Sequence, residues 1–171
     1  IFDNNDRPGI LLSSAVEKYA NFFGVACGEK NVLFTNNDSA YETAISLHQK
    51  GINIEAIIDN REEIDSKLIK ETEKNNIKIY KGYTVVNTYG YKRINKVSIM
   101  QLSKDGQKVV GSKISFSCDC LGISGGWTPA VHLFTQSGGK LKFRDEDQVF
   151  IPNIYSSDQI SIGSCNGDFT L

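Results

Sequence analysis

The sequence predicts an α/β protein: a parallel sheet with helices, joined to an antiparallel β-meander. Three observations predict it. Between Asn31 and Tyr80, short apolar runs and helical periodicities alternate as strand, helix, strand, helix, strand, an order that argues for right-handed crossovers within one parallel sheet. Residues 83–116 then hold three β-rich stretches joined by short turns, the pattern of a meander. The run NVLFTNNDSAYETA over 31–44 sets a tight polar turn between an apolar strand and a helix, the place where such folds can receive a phosphate.

Each element follows from local chemistry. Arg7-Pro8-Gly9 marks a turn. Residues 10–23 read as a helix, with Leu12, Ala15, Val16, Tyr19 and Phe23 at helical spacing and Gly24 as the stop. Residues 31–34 are a buried strand. The next helix spans 38–49, with Ala40, Tyr41, Ala44, Ile45 and His48 on one face and Lys50-Gly51 closing it. Residues 52–58 (INIEAII) form an apolar strand that ends at Asp59. A charged amphipathic helix covers 62–74 with Ile64, Leu68 and Ile69 inward, Asn75-Asn76 breaks it, and 77–80 is a further strand.

In the meander (83–91, 94–102 and 108–116), Val97, Ile99 and Leu102 alternate with polar neighbours, as a half-solvated sheet requires. Lys92-Arg93 and Asp105-Gly106 supply its turns. Leu121-Gly122-Ile123-Ser124-Gly125-Gly126 returns to the parallel sheet, and 140–143, 148–151 and 159–162 read as short strands beyond it. A meander inserted after β-α-β-α-β is the plan of a Rossmann-like FAD/NAD(P)-binding domain, here followed by part of a second nucleotide-binding domain.

The 171 residues are 40% hydrophobic and 23% charged, ordinary for a soluble globular protein. Nineteen Lys and Arg against twenty Asp and Glu leave a net charge of −1 and a pI near 6.2, without the basic footprint that nucleic acid or an anionic membrane requires. No apolar run approaches the ~20 residues of a membrane helix, and Ile1-Phe2-Asp3-Asn4-Asn5-Asp6-Arg7 is not a secretory leader. The chain starts without Met in a strand end or loop and stops at Phe169-Thr170-Leu171 as a helix begins, so a fragment of a longer polypeptide is expected. Cys118 and Cys120, two apart on a strand, should point the same way. That spacing suits neither a disulfide nor a zinc site. With Cys27 and Cys165 they are expected to be reduced, in a cytoplasmic protein without bound metal.

Thr35-Asn36-Asn37-Asp38-Ser39-Ala40 stands where a dinucleotide fingerprint places its glycines. Those glycines permit the tight turn, the approach of pyrophosphate and close helix–strand packing. Only Ala40 matches, at the third glycine. Asn tolerates a left-handed backbone, so the turn can survive at Asn36 or Asn37. A carboxamide at the second glycine nevertheless stands in the path of a pyrophosphate, and Asp38 adds negative charge. Asp38 and Ser39 serve equally as helix N-caps.

Asp59 lies 24 residues beyond Thr35, near the ~20-residue spacing of the acid that holds the ribose of NAD. Arg61 offers a partner for a 2′-phosphate, although an acid at the strand tip disfavours NADP; Asp59-Asn60-Arg61 also serves as a plain turn. Gly125-Gly126 opens a second close-approach loop, suited to adenine, nicotinamide or another strand. The candidate cofactor-binding residues are therefore Thr35, Asn36, Asn37, Asp38, Ser39, Asp59, Gly125 and Gly126. His48 and His132 have no acid or nucleophile at an interpretable spacing and read as packed or hydrogen-bonded. No catalytic constellation emerges.

Four stretches carry a family resemblance: NDRPGILLSSA over 5–15, FTNNDSAY over 34–41, SGGWTPAVHLFTQSGGK over 124–140 and GSCNGDF over 163–169. They resemble the large (alpha) subunit of heterotetrameric sarcosine oxidase, and GGWTPAVHL is the most specific piece. The resemblance implies a flavoenzyme that oxidises the N-methyl group of sarcosine to glycine, formaldehyde and hydrogen peroxide, with tetrahydrofolate as one-carbon acceptor. It implies an alpha subunit with two dinucleotide domains and bound NAD, FAD and FMN in the whole complex, and beta, gamma and delta subunits as partners beside the missing parts of alpha. This chain would be the middle of that subunit: a connecting helix over 1–28, an NAD-type domain over 29–137 and a return segment into the FAD-type domain over 138–171. The first glycine fingerprint would precede Ile1, TNNDSA would be a relic fingerprint, and residues 163–167 would resemble a loop that closes on a dinucleotide.

Three functions compete. The chain is a subunit fragment of an amine-oxidising flavoenzyme without turnover of its own. Alternatively it is a working NAD-binding domain of another flavin-dependent amine oxidase, dehydrogenase or pyridine-nucleotide-disulfide-type reductase, with Asp59 on the ribose. The third reading is an assembly module without ligand, which predicts an exposed apolar patch on the helix over 10–23.

Overall fold

The structure, a computed structural model, describes residues 2–64, 66–155 and 159–169. Asp65, inside the helix expected over 62–74, and Thr170-Leu171, where a further helix is expected to begin, lie outside the described residues. The chain forms two compact units, Ile1–Gly125 and Gly126–Leu171.

In chain order the first unit runs β1 (Ile10–Leu12), α1 (Ser13–Phe23), β2 (Asn31–Thr35), α2 (Ser39–Gln49), β3 (Ile54–Asp59), α3 (Lys67–Lys74), β4 (Ile79–Lys81), β5 (Tyr83–Tyr89), β6 (Lys96–Leu102), β7 (Val109–Ser117) and β8 (Cys120–Ser124). The parallel sheet has the order β1-β8-β2-β3-β4, and β5-β6-β7 is the antiparallel meander. The expected α/β Rossmann-like architecture is present.

Successive side chains of a strand point to opposite faces, which explains the layering. Leu33, Ile57 and Cys120 enter one core with Val16, Tyr41, Leu47 and Ile69 of the helices. Their neighbours Val32, Ile58 and Leu121 enter a second core with Val85, Val97 and Ile99 of the meander. Both faces of the central strands are thus covered, and their sequences are apolar almost without interruption. At the middle of β8, Gly122 lets α1 approach closely: a Cβ there would lie 2.6 Å from Leu33 Cδ2 and 3.2 Å from Ser13 Oγ.

Several local expectations are corrected. Residues 10–12 are not the start of a helix but β1, paired with β8; three residues are too few to show a period of two. The inward stripe of α1 is Ser13, Val16 and Ala20, while Leu12, Tyr19, Phe22 and Phe23 face outward. On α2, Leu47 is buried and His48 exposed. β3 starts at Ile54 because Ile52 N–H is taken by Leu47 O at 3.1 Å. α3 starts at Lys67, capped by the Ser66 hydroxyl, which accepts from Leu68 N.

Cys118 and Cys120 do not point the same way. The chain turns between β7 and β8 at Asp119, so Cys118 joins the meander-side core and Cys120 the helix-side core. All four cysteines are free thiols.

The second unit holds α4 (His132–Gln136), an antiparallel pair of β9 (Lys140–Arg144) and β10 (Val149–Ile154), and a 3-10 turn over Gly163–Asn166. Residues 159–162, expected as a strand, pair with nothing in a sheet, and α4 is a helix too short for its period to show in the sequence. Phe134 anchors this unit, packed edge-on against Tyr155 at 5.0 Å. His132 is exposed on α4.

Candidate functional site

The carboxyl ends of β2, β3 and β8 meet at one edge of the parallel sheet. Chain order reverses between β2 and β8, so this edge is the switch point at which open α/β sheets form a ligand crevice. Thr35, Asn36, Asn37, Asp38, Ser39, Asp59 and Gly125 all lie here. Gly126, with φ +104°, begins the second unit.

The turn from β2 into α2 is closed by its own side chains. Neither Asn36 nor Asn37 has a positive φ, so the expected left-handed turn is absent. Instead Thr35 Oγ1 accepts from Asn37 N at 3.0 Å and donates to Asn37 O at 2.9 Å. Asn37 Oδ1 accepts from Ser39 N at 3.1 Å and from Ser39 Oγ at 2.6 Å. Asn37 Nδ2 donates to Ser124 O at 3.0 Å and to Asn36 Oδ1 at 2.9 Å. Asn37, rather than Asp38 or Ser39, therefore caps α2, and its carboxamide takes the N–H that a phosphate would seek.

Asn37→Ala is expected to lower folding stability by about 0.5–2 kcal/mol, the usual loss for an N-cap side chain. Urea denaturation monitored by circular dichroism measures it; a loss below that range would mean the cap contributes nothing.

Asp38 is turned to Arg61, whose guanidinium lies 2.8 Å from Asp38 Oδ1 and 2.8 Å from Asp59 Oδ2. Asp59 is fully buried. Its carboxylate accepts from Tyr41 OH at 2.9 Å, Arg61 N at 2.9 Å, Arg61 Nε at 3.1 Å and Arg61 Nη2 at 2.8 Å. Burial, reinforced by the Asp59 charge and hydrogen bond, pushes the Tyr41 phenol above its usual range. The hydrogen bond to Asp59 pushes the Arg61 guanidinium higher still.

Tyr41 falls on the buried face of α2 by helical period alone. That its hydroxyl meets Asp59 depends on the pairing of β2 with β3 and leaves no local signal in the sequence.

Beside this cluster lies a cleft of about 360 Å³, lined among others by Phe2, Phe34, Asn36, Asn60, Thr84 and Gly125. Among the described residues no group of three or more His, Cys, Asp or Glu side chains is placed to hold a metal ion. No described helix is long and apolar enough to cross a membrane.

No family model matches the chain. It is 34% identical over 167 residues to sarcosine oxidase subunit alpha of Corynebacterium sp. strain U-96, covering 98% of this chain and 17% of that protein. It is 28% identical over 151 residues to the subunit of the same name from Rhizobium meliloti strain 1021, covering 88% of this chain and 14% of that protein. Among solved structures, a thioredoxin reductase from T. acidophilum superposes with a TM-score of 0.65 at 19% identity, over 98% of this chain and 57% of that one. An L-proline dehydrogenase from P. horikoshii superposes with a TM-score of 0.60 at 22% identity, over 94% of this chain and 25% of that one. The relatives by sequence and by fold are oxidoreductases, and the chain spans less than a fifth of the length of the sarcosine oxidase subunits it matches. Along nearly its whole length the chain is similar in sequence to sarcosine oxidase alpha subunits.

Proposed function

We propose that the chain serves as the NAD-type domain of the alpha subunit of a sarcosine oxidase-like flavoenzyme and acts there as scaffold rather than catalyst. The observation that carries this is the closed β2–α2 turn: a pyrophosphate does not fit where the Asn37 carboxamide already caps α2 and bonds Ser124. Asp59, with four internal hydrogen bonds and no exposure, serves the same scaffold rather than a ribose.

On this reading residues 1–28 connect from a first nucleotide domain, 29–137 form the NAD-type domain and 138–171 return to the first. The complex as a whole converts sarcosine to glycine, formaldehyde and hydrogen peroxide, with tetrahydrofolate accepting the one-carbon unit. NAD is bound by the rest of the alpha subunit, and FAD and FMN belong to the assembled complex. The partners are the beta, gamma and delta subunits in the cytoplasm. The similarity to sarcosine oxidase alpha subunits supports this assignment. The aromatics Tyr19, Phe22 and Phe23, exposed on α1, give a surface on which the remainder of the subunit would pack.

A second reading, the NAD-binding domain of another flavin-dependent oxidoreductase, is favoured by the cleft at the switch point. Calorimetric titration separates the two. The chain is expected to give no heat with NAD or NADH at about 1 mM and to oxidise no sarcosine alone; saturable heat with NAD would establish the second reading instead.

A further inference from the structure

We propose that the outer face of the antiparallel meander docks an acidic segment of a partner protein. The face uses no residue of the β2–α2 turn, so the proposal stands apart from the functional reading above.

Charge is unevenly shared along this chain. Residues 83–117, from β5 to β7, hold six Lys and Arg against one acid, a net +5 in a chain whose total is −1. The remainder therefore carries −6. A solvated surface usually mixes both signs, whereas a large field of one sign steers an oppositely charged partner. The one acid does not break up this field: Asp105 accepts from Ser103 Oγ and Gln107 N within its own turn.

Register gathers the cations on one surface. Val97, Ile99 and Ile114 pack into the core beneath the meander, so Lys96, Ser98, Lys113 and Ser115 alternate onto the opposite face. Lys92 stands exposed at the β5–β6 turn, and Lys104 and Lys108 at the β6–β7 turn. They mark the ends of a stripe about 23 Å long, the span of a seven-residue strand such as β6. Among the described residues, none of these lysines is ion-paired with a carboxylate.

The centre of the face is ordered by its own contacts. Ser98 is fully buried beneath its neighbours, and its hydroxyl lies 2.6 Å from that of Ser115. Lys96 Nζ sits 4.1 Å from the centre of the Tyr89 ring, its partner across the ladder. A hydrogen bond from Ser98, joined by the charges of Lys113 and Lys96, holds the Tyr89 phenol below its usual range. Two ammonium groups thus flank one phenol, and a carboxylate can accept from all three.

The chemistry favours carboxylate over phosphate and protein over nucleic acid. Arginine is the residue best suited to phosphate, and the only one here, Arg93, is engaged by Cys27 O at 2.8 Å and Asp119 O at 2.9 Å. Bases need open ring faces on which to stack, but Lys96 covers Tyr89. That leaves Tyr91 as the exposed aromatic of the meander, one ring where a run of bases needs several.

The test titrates the chain with poly-L-glutamate, followed by calorimetry and by ¹⁵N NMR. The expected result is saturable binding that shifts the amides of Lys96, Ser98 and Lys113. It should weaken by at least about tenfold between about 50 and about 200 mM NaCl, because exposed charges are screened. Lys96→Gln with Lys113→Gln should weaken it by about tenfold or more. Lys67→Gln with Lys70→Gln, exposed cations of α3, should leave it unchanged, with circular dichroism reporting an intact fold in both variants. Absence of binding at about 50 mM NaCl, parent affinity in the Lys96 and Lys113 variant, or an equal loss in the α3 variant overturns the proposal. Parallel titrations use single-stranded polythymidylate and vesicles of phosphatidylcholine and phosphatidylserine in equal parts. Either one bound more tightly than poly-L-glutamate overturns it as well, in favour of a nucleic acid or a lipid surface. None of these outcomes bears on the NAD titration.

Discussion

Arg61→Met is expected to cost about 3–5 kcal/mol of folding stability, with the lower end favoured because the guanidinium is 32% exposed and water can partly replace it. The loss comes mainly from Asp59. With Arg61 in place, the fully buried carboxylate has two guanidinium N–H groups, a backbone N–H and the Tyr41 hydroxyl. Without the guanidinium it keeps only the last two and no counter-charge, and a buried anion short of partners is among the most expensive single defects in a fold. Tyr41→Phe removes one of the four bonds and is expected to cost less, about 1–3 kcal/mol. Asp59→Asn combined with Arg61→Met should recover part of the loss, because the stranded charge is gone. Urea denaturation of the three variants measures these differences. A loss below about 1 kcal/mol for Arg61→Met would mean that water reaches Asp59, and the crevice would then be open to a ribose after all.

Stability should also fall as pH rises above about 9. Burial pushes the thiols of Cys118 and Cys120 from 9.0 up to about 12, and burial with the Asp59 charge raises the Tyr41 phenol. In the unfolded chain the thiols ionise near their ordinary value, while in the folded protein they keep their protons until about pH 12. Over that window the unfolded state binds fewer protons than the native state, so the free energy of unfolding decreases with rising pH. Each group contributes up to about 1.4 kcal/mol per pH unit. The two thiols together should therefore cost about 4 kcal/mol by pH ~10.5, with Tyr41 adding to it. Denaturation midpoints at pH 8, 9, 10 and 10.5 test this, and a Cys118→Ala, Cys120→Ala double variant should flatten the profile. A flat profile in the parent chain would show that the thiols are solvated.

Period and composition carried much of the fold. The apolar runs over 31–34 and 52–58, the amphipathic helices between them and the Asp105-Gly106 turn suffice for a parallel sheet followed by a meander, because burial on both faces leaves the central strands no polar alternation to hide behind. Two short elements escaped. β1 and α4 each span fewer than two repeats of the pattern that would betray them. Residues 159–162 have the alternation of a strand but no partner edge.

The candidate site divides the same way. The residues of the TNNDSA turn and Asp59 were legible because strand–turn–helix spacing puts them at one sheet edge whatever their side chains do. Their state was not legible. Asn37 capping α2, Asp38 swung toward Arg61 and Asp59 sealed by Tyr41 are contacts between residues up to 87 positions apart, and so are the opposite destinations of Cys118 and Cys120 across Asp119. By itself, then, the sequence determined which residues reach the crevice, since backbone periodicity is a local property. Only the tertiary structure decided whether those residues face a ligand or one another, because hydrogen-bond partners are chosen in space and not along the chain.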